Sequence, residues 1–421
     1  MEMREEEVVI VGAGISGLAT AVALTRVGVP VLVLERWEEL RITGAALALY
    51  SNAWFALEAL GVAHKLSPFY VPTQKGRITN VTNGAVKEVS YSGFERRNGP
   101  ILVHRRKLLE SLAEELPPGT IRFSSKLISI QSQRTPQGSS IATLQLEGNT
   151  IIKAKVLIGC DGVHSVVAQW LGLMPPVPSG RNGIRGLSVF PQGHGFSQAL
   201  HQFVKPGQRG GFVPINDTDL YWFLFYYPKS TGNEIPGDPM LIQKEVMENL
   251  AKDFPPRYLE VVQNSDLPAI TCAPLLLRCP WDLLWKNLSR GNITVAGDAL
   301  HPMTPDLGQG GCSALEDAVV LGRHIGNLFL KNRRIVPEEV PRAINGYVME
   351  RKWRVAGLIT KSYLSGWAQQ GGGSGWLMKL IRDFIFFKVL YRIIFDSIYY
   401  DCGKLPSISL PNGSQMGCKN D

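Results

Sequence analysis

The chain has 421 residues, 45% hydrophobic and 19% charged, which is long and apolar enough for two or three packed units with sizeable cores. Its formal net charge of +8 is spread along the sequence, and no Lys/Arg block is dense enough to point to nucleic acid or an anionic membrane. The six cysteines (Cys160, Cys272, Cys279, Cys312, Cys402 and Cys418) form no CxxC and no metal-ligand spacing, so they read as reduced thiols of a cytoplasmic protein with no metal centre.

The first predicted strand, Glu7 to Val11, begins within ten residues of Met1, a space too short for a signal or transit peptide. It is a short apolar run of the kind buried in a parallel sheet, and it feeds Gly12-Ala13-Gly14-Ile15-Ser16-Gly17 and an Ala/Leu-rich helix through Leu24. In this context Gly12 permits a tight turn, Gly14 lets backbone approach a pyrophosphate, and Gly17 allows helix and strand to pack closely. Ile15 and Ser16 complete the helix start. The next strand, Val29 to Leu34, ends at Glu35, a carboxylate placed to accept both hydroxyls of an unphosphorylated ribose, as in FAD or NAD. Arg36 is either an adenine-stacking group or a solvated charge.

Further along, Lys155 to Gly159 reads as another buried strand, running into Cys160-Asp161-Gly162. Residues 181–275 then change character: Gly186 to Phe190, Ala199 to Val204, Gly211 to Ile215 and Leu220 to Tyr227 read as strands of a mostly antiparallel sheet. Alternation puts Tyr221, Phe223, Phe225 and Tyr227 on one face and Trp222, Leu224 and Tyr226 on the other. Phe223 and Phe225 are therefore candidates for lining a substrate cavity, with Arg185 and His201 as polar candidates for orienting the substrate; core packing and a structurally satisfied histidine are the plain alternatives.

Residues 291–317 form the most informative stretch. An apolar strand, Ile293 to Ala296, turns sharply at Gly297 and presents Asp298, a carboxylate suited to a polyol hydroxyl. Pro302 and Pro305 stiffen the turn, and Gly308-Gln309-Gly310-Gly311 opens a helix whose free N–H groups and dipole favour an anion such as a reduced flavin ring. From about Tyr347 the chain is predicted helical, and Trp376 to Arg392 carries too many charges for a transmembrane span. Two short helices or one bent helix fit it, with peripheral membrane contact as the alternative. Gly371 to Gly375 reads as a linker, so no second dinucleotide fold is present, and the tail after Gly403 reads as disordered.

The ordered trio of GxGxxG, the Asp161-Gly162 segment and the Gly-Asp segment with HPxxPxxGQG resembles the single-component, or class A, FAD-dependent aromatic monooxygenases of para-hydroxybenzoate-hydroxylase-like fold. Within them it is similar to plant monooxygenases related to FAD-dependent urate hydroxylase and zeaxanthin epoxidase. The resemblance implies an α/β architecture: a Rossmann-like FAD-binding domain, an inserted mostly antiparallel substrate sheet and a C-terminal helical segment. The expected boundaries are 1–70, 98–180 and 276–345 for the FAD domain and 71–97 and 181–275 for the substrate domain. C-terminal helices would follow over 346–402 and a tail over 403–421. It also implies FAD, with NADPH or NADH as a transient reductant, and transfer of one oxygen atom of O2 from a flavin C4a-hydroperoxide to an electron-rich aromatic or heterocyclic small molecule.

Carried over residue by residue, Gly12, Gly14 and Gly17 border the pyrophosphate and Glu35 the adenosine ribose, while Asp298 binds the ribityl chain and Pro305 with Gly308 to Gly311 the ring. Arg105 matches the family's phosphate-neutralising arginine, with Arg106 one residue away as the alternative. Arg41 and Ala45 lie in the loop beside the flavin, Leu127 falls against the adenine, and Asp161 with Gly162 serves both FAD and the approach of NAD(P)H. Three departures stand out: Ala168 where relatives carry Arg, Cys312 where they carry Asn, and Ala45-Ala46 in a loop often richer in glycine. The first keeps alive a flavin oxidase or dehydrogenase needing no NAD(P)H; a noncatalytic FAD-binding protein is the remaining rival.

Overall fold

The computed structural model describes residues 3–41, 44–91, 99–134, 140–228, 237–369 and 398–407. Trp376 to Arg392, the glycine linker and the end of the tail lie outside the described residues, as do Ile42 and Thr43 of the loop after Arg41.

Two large sheets organise the chain. The first is centred on parallel strands: Met3–Val11 lies between Ile151–Gly159 and Val31–Leu34, and Ile293–Val295 joins the far side of Ile151–Gly159. Val8, Val9 and Ile10 are fully buried, as parallel strands covered on both faces must be. Helix Ile15–Arg26 covers one face, and the helix Gln309–Asn332 crosses it closely because Gly322 sits against Ala23, where an added Cβ would lie 2.7 Å from the alanine methyl. An antiparallel hairpin, Leu127–Arg134 with Ser140–Leu146, extends this sheet, and a two-stranded ribbon, Ala46–Leu49 with Ile101–His104, stands apart from it.

The second sheet has seven strands in the order Thr271–Leu277, Val177–Val189, Asp219–Tyr226, Gln208–Pro214, Ala199–Lys205, Lys75–Asn80, Val86–Ser90. All its neighbours are antiparallel except Ala199–Lys205 beside Lys75–Asn80. The expected alternation holds: Trp222, Leu224 and Tyr226 pack in one core with Tyr258 and Phe254, while Phe223 and Phe225 form a separate cluster on the opposite face. Gly186 makes room for this core, since a Cβ there would lie 2.5 Å from the Trp222 indole nitrogen. The mixed α/β class, the antiparallel insertion and a helical segment after residue 340 agree with the architecture expected. Among the described residues no helix is long and apolar enough to cross a membrane.

A buried ionic network joins the long helices Gln309–Asn332 and Val340–Gln369 to the turn after Ile293–Val295. Arg351 donates to Asp317 (2.7 Å), Glu316 and the Ser313 hydroxyl, while Arg354 and Asn52 also donate to Glu316. Asp317 in turn accepts the Gly297 N–H at 2.9 Å and His301 Nε2 at 2.6 Å. Burial alone would raise the Asp317 carboxyl, but His301 and Arg351 beside it reverse that and hold it at about 2.

Because the folded value is depressed, this carboxylate's contribution is fully present above the ordinary 3.8 and is lost as pH falls toward 2. Asp317→Ala strands a buried guanidinium and is expected to cost about 3–5 kcal/mol. In denaturant titrations the wild type should also lose stability more steeply than Asp317→Asn between pH 4 and 2; parallel acid curves would show that the network carries no such weight.

Candidate functional site

The N-terminal turn is shaped by backbone contact. Gly12 has φ +100° and donates its N–H to the Leu34 carbonyl, and a Cβ on Gly17 would fall 1.8 Å from the Gly12 oxygen. Gly14 by contrast has nothing within 4 Å of its missing Cβ, so its face of the turn is open. Glu35 is held beneath the turn, accepting the Ala13 N–H at 2.7 Å and the Trp37 N–H at 3.1 Å, which leaves lone pairs on both oxygens for a ligand. Arg36 is exposed, with its guanidinium 5.1 Å from the centre of the Trp37 ring. Leu127 is buried in the main core.

The Gly-Asp turn meets this motif directly: Gly297 has φ +59°, and a Cβ there would lie 2.6 Å from Ser16 Cβ. Asp298 has no side-chain hydrogen bond among the described residues and faces a cavity of about 990 Å³ that separates the two sheets. Water reaches it through the cavity, while protein surrounds it on its other sides. That burial raises its carboxyl above the ordinary 3.8, against the pull of His301, Arg185 and Arg105.

The same cavity collects Gly14, Ile15 and Ser16 from the first motif, Gly162 from the second, and Pro305, Gly308, Gly310 and Gly311 from the third. Pro305–Leu307 forms a 3-10 turn and Gly308, at φ +63°, starts the long helix. Arg41, Ala45 and Arg105 stand on the same wall; Arg105 donates to the Arg41 carbonyl at 2.5 Å, and burial followed by the Arg41 charge lowers its guanidinium. Arg185, Phe223 and Phe225 form the opposite wall. An open turn at Gly14, an unpartnered carboxylate at Asp298 and a glycine-lined helix start fit a flavin dinucleotide in donor chemistry and in space.

Other candidates stand away from the cavity. Asp161 is spent on its own chain, accepting the Ser165 hydroxyl and the Val166 N–H (2.7 Å) at the start of helix Val166–Trp170. Gln309 is fully buried and accepts from Asn52 at 2.8 Å, so only its backbone belongs to the helix start. His201 lies on the far face of its strand, stacked on Phe212 at 4.8 Å, whereas its neighbours Leu200 and Gln202 face the cavity. No group of three or more metal-ligating side chains occurs among the described residues.

A family model for an FAD binding domain matches residues 5–334, and Monooxygenase 2 of Arabidopsis thaliana is 41% identical over 415 residues, covering 96% of this chain and 100% of that relative. The chain belongs to this family of FAD-dependent monooxygenases. Monooxygenase 1 of Arabidopsis thaliana is 36% identical over 420 residues, with 96% and 100% covered. In fold the monooxygenase is similar to Klebsiella pneumoniae HpxO complexed with FAD and uric acid, at a TM-score of 0.78 and 23% identity over 93% of this chain and 96% of that one.

The monooxygenase has one cluster that the sequence did not disclose. Arg181 makes a bidentate pair with Asp306 (3.0 and 2.7 Å), and Arg209 reaches the same carboxylate at 3.2 Å, with all three side chains buried. Asp306 sits inside the Pro305–Leu307 turn, and both it and Arg209 line the cavity. The expected strand began at Gly211, whereas the strand is Gln208–Pro214, and that earlier start puts Arg209 on the cavity face with Gly211 and Val213. Reading the alternation back two residues would have found it.

Asp298→Asn tests the polyol contact. Losing a charged acceptor should weaken FAD binding by about tenfold or more, and unchanged affinity in a fluorescence titration would remove Asp298 from the site. The raised carboxyl means that the ionised form opposes folding of the FAD-free protein as pH rises through and above its folded value. The apo variant should therefore be at least as stable as apo wild type at neutral pH, with the difference closing below about pH 4.

Proposed function

We propose that this monooxygenase uses NADPH or NADH and O2 to place one oxygen atom on an electron-rich aromatic or heterocyclic small molecule in plant specialised metabolism. The observation that carries the reading is a single cavity running from the glycine turn and Asp298, past the Pro305 loop, to the aromatic face of the second sheet. Bound FAD supplies the redox chemistry, accepting hydride from the nicotinamide and activating O2.

The chain's residues do the rest. The open turn at Gly14, with Ile15 and Ser16, receives the pyrophosphate, and Arg41 and Arg105 balance its charge. Glu35 accepts from the adenosine ribose and Asp298 from the ribityl chain. Pro305 and the backbone of Gly308 to Gly311 border the ring, the helix start favouring negative charge beside it. Tyr221, Phe223 and Phe225 hold the substrate's flat face and exclude water. In this reading the sheet around Met3–Val11 is the flavin unit, and the sheet from Lys75–Asn80 to Thr271–Leu277 is the substrate unit.

Support comes from the relatives named monooxygenase and from a similar fold complexed with FAD and uric acid. The rival reading, direct oxidation of a substrate without nicotinamide, draws on Ala168, the departure from the arginine that the resemblance implies, which is buried in the core.

Anaerobic stopped-flow with NADPH and NADH, followed by mixing with 18O2, separates the two. Reduction of the flavin by nicotinamide, speeded by a phenolic or heterocyclic substrate and followed by one 18O atom in the product, is the expected result. Flavin bleached by a substrate alone, with no 18O incorporated, would make the protein an oxidase or dehydrogenase.

A further inference from the structure

We infer that the outer face of the helix Val340–Gln369, with the short helix Pro280–Trp285 packed against it, is a docking surface for a lipid bilayer with anionic headgroups.

Helical periodicity sorts the long helix into two faces. Ile344, Tyr347, Arg351, Val355 and Ser362 are buried against the protein, whereas Met349, Trp353, Thr360 and Leu364 recur at helical spacing on the opposite side and are exposed. That outer stripe carries no acidic side chain. Trp353 is 65% exposed, and on the short helix Trp281 and Trp285, stacked at 5.4 Å and 15°, are 59% and 76% exposed. Three indoles left in water on two adjoining helices mark a surface that meets something other than solvent. None of the three lines the cavity.

The cations beside them decide what that is. Lys352 and Lys361 lie on either side of the stripe, about 100° before and about 80° after Trp353 around the helix axis, and Lys286 follows Trp285. None of these lysines forms an ion pair among the described residues. The acids nearby are engaged: Glu350 pairs with Arg323 and with His324 (3.2 Å), and Asp282 acts on the buried Arg278. Burial, followed by the Arg354 charge, lowers the Lys361 ammonium, in keeping with a cation that lacks a counter-charge.

Lysine is depleted where proteins meet proteins, whereas at a bilayer its stem lies along apolar surface and its ammonium reaches a phosphate. Tryptophan suits the same depth, with an apolar ring and one N–H donor for the headgroup layer. The contact is peripheral, since among the described residues no helix is long and apolar enough to cross a membrane. In the sequence these lysines stand apart, at 286, 352 and 361, so no basic block marks the surface.

The test is flotation of the full-length, FAD-loaded protein with vesicles of phosphatidylcholine, alone or with about one third phosphatidylserine. Saturable binding is expected on the anionic vesicles, about tenfold or more stronger than on the neutral ones and weakened by salt. Trp353→Ala, and separately Trp281→Ala with Trp285→Ala, should each lower that binding about tenfold. Lys352→Gln with Lys361→Gln should lower it about tenfold on anionic vesicles and leave the neutral ones unchanged. Flavin absorbance and far-UV circular dichroism check that each variant keeps its FAD and its fold.

Absence of binding to either vesicle overturns the inference, as does equal binding to both or binding undiminished by the tryptophan variants. Trp376 to Arg392 is present in every variant, so affinity carried by that stretch would survive them and count against the assignment. A wild type that does not float, but sediments as a dimer that Trp353→Ala dissociates, would make the face a contact between two copies of the chain instead. If a tryptophan variant fails to fold, the lysine pair decides through its difference between the two vesicle types. Flotation needs no turnover, so its outcome is independent of oxygen transfer.

Discussion

The Asp317 carboxylate is the point to which the rest of the molecule is referred. It is fully buried, and it fixes the Gly297 backbone and the His301 ring while Arg351 holds it from the last described long helix. Two helices and the turn carrying Asp298 are thus tied to one charge that has no water to fall back on. In a low-dielectric interior such a group keeps its position only when every partner is in place, which makes the turn rigid. Gly297 then rests on Ser16, so the rigidity passes to the N-terminal glycine turn.

On this frame the two sheets meet with their contrasting walls facing the same cavity. One wall is backbone and glycine, with Arg41 and Arg105 beside it; the other is aromatic, with Arg185 and Arg209. Asp306 links the walls, since it lies in the turn before Gly308 yet binds arginines from the second sheet. Arg278 serves the same geometry from below: its buried guanidinium donates to the carbonyls of Leu300 and Ala299, just after Asp298. The cavity is therefore held open by polar contacts at its edges, and its apolar residues are left free to face a ligand.

Much of this was legible in the sequence because the signals are local. A strand followed by GxGxxG, a Gly-Asp turn and an alternating aromatic strand each declare their backbone geometry within a dozen residues, and the strands Met3–Val11, Ile293–Val295 and Asp219–Tyr226 lie where those patterns put them. Cys160, one of the cysteines read as reduced thiols, is buried enough for its thiol to be pushed up to about 12, which keeps it unreactive. Alternation places Arg209 on the cavity face, but its pairing with Asp306 and that of Arg181 were not legible, because these ion pairs join residues 97 and 125 positions apart. The two backbone hydrogen bonds that Glu35 accepts, and Asp161's engagement with its own helix start, were also hidden, since a motif names a residue without naming its existing partners. His201 shows the limit of residue type alone: one step along a strand sent it to the face opposite the cavity.

The alternation along Asp219–Tyr226 has an evolutionary consequence. Positions 221, 223 and 225 face the cavity, whereas 222, 224 and 226 build the core beneath the sheet. Drift at the first set alters what the cavity accepts without touching what keeps the sheet folded. One strand thus divides its residues into a register whose substitution would change the cavity and a register whose substitution would unpack the core, so chemistry and framework can vary separately.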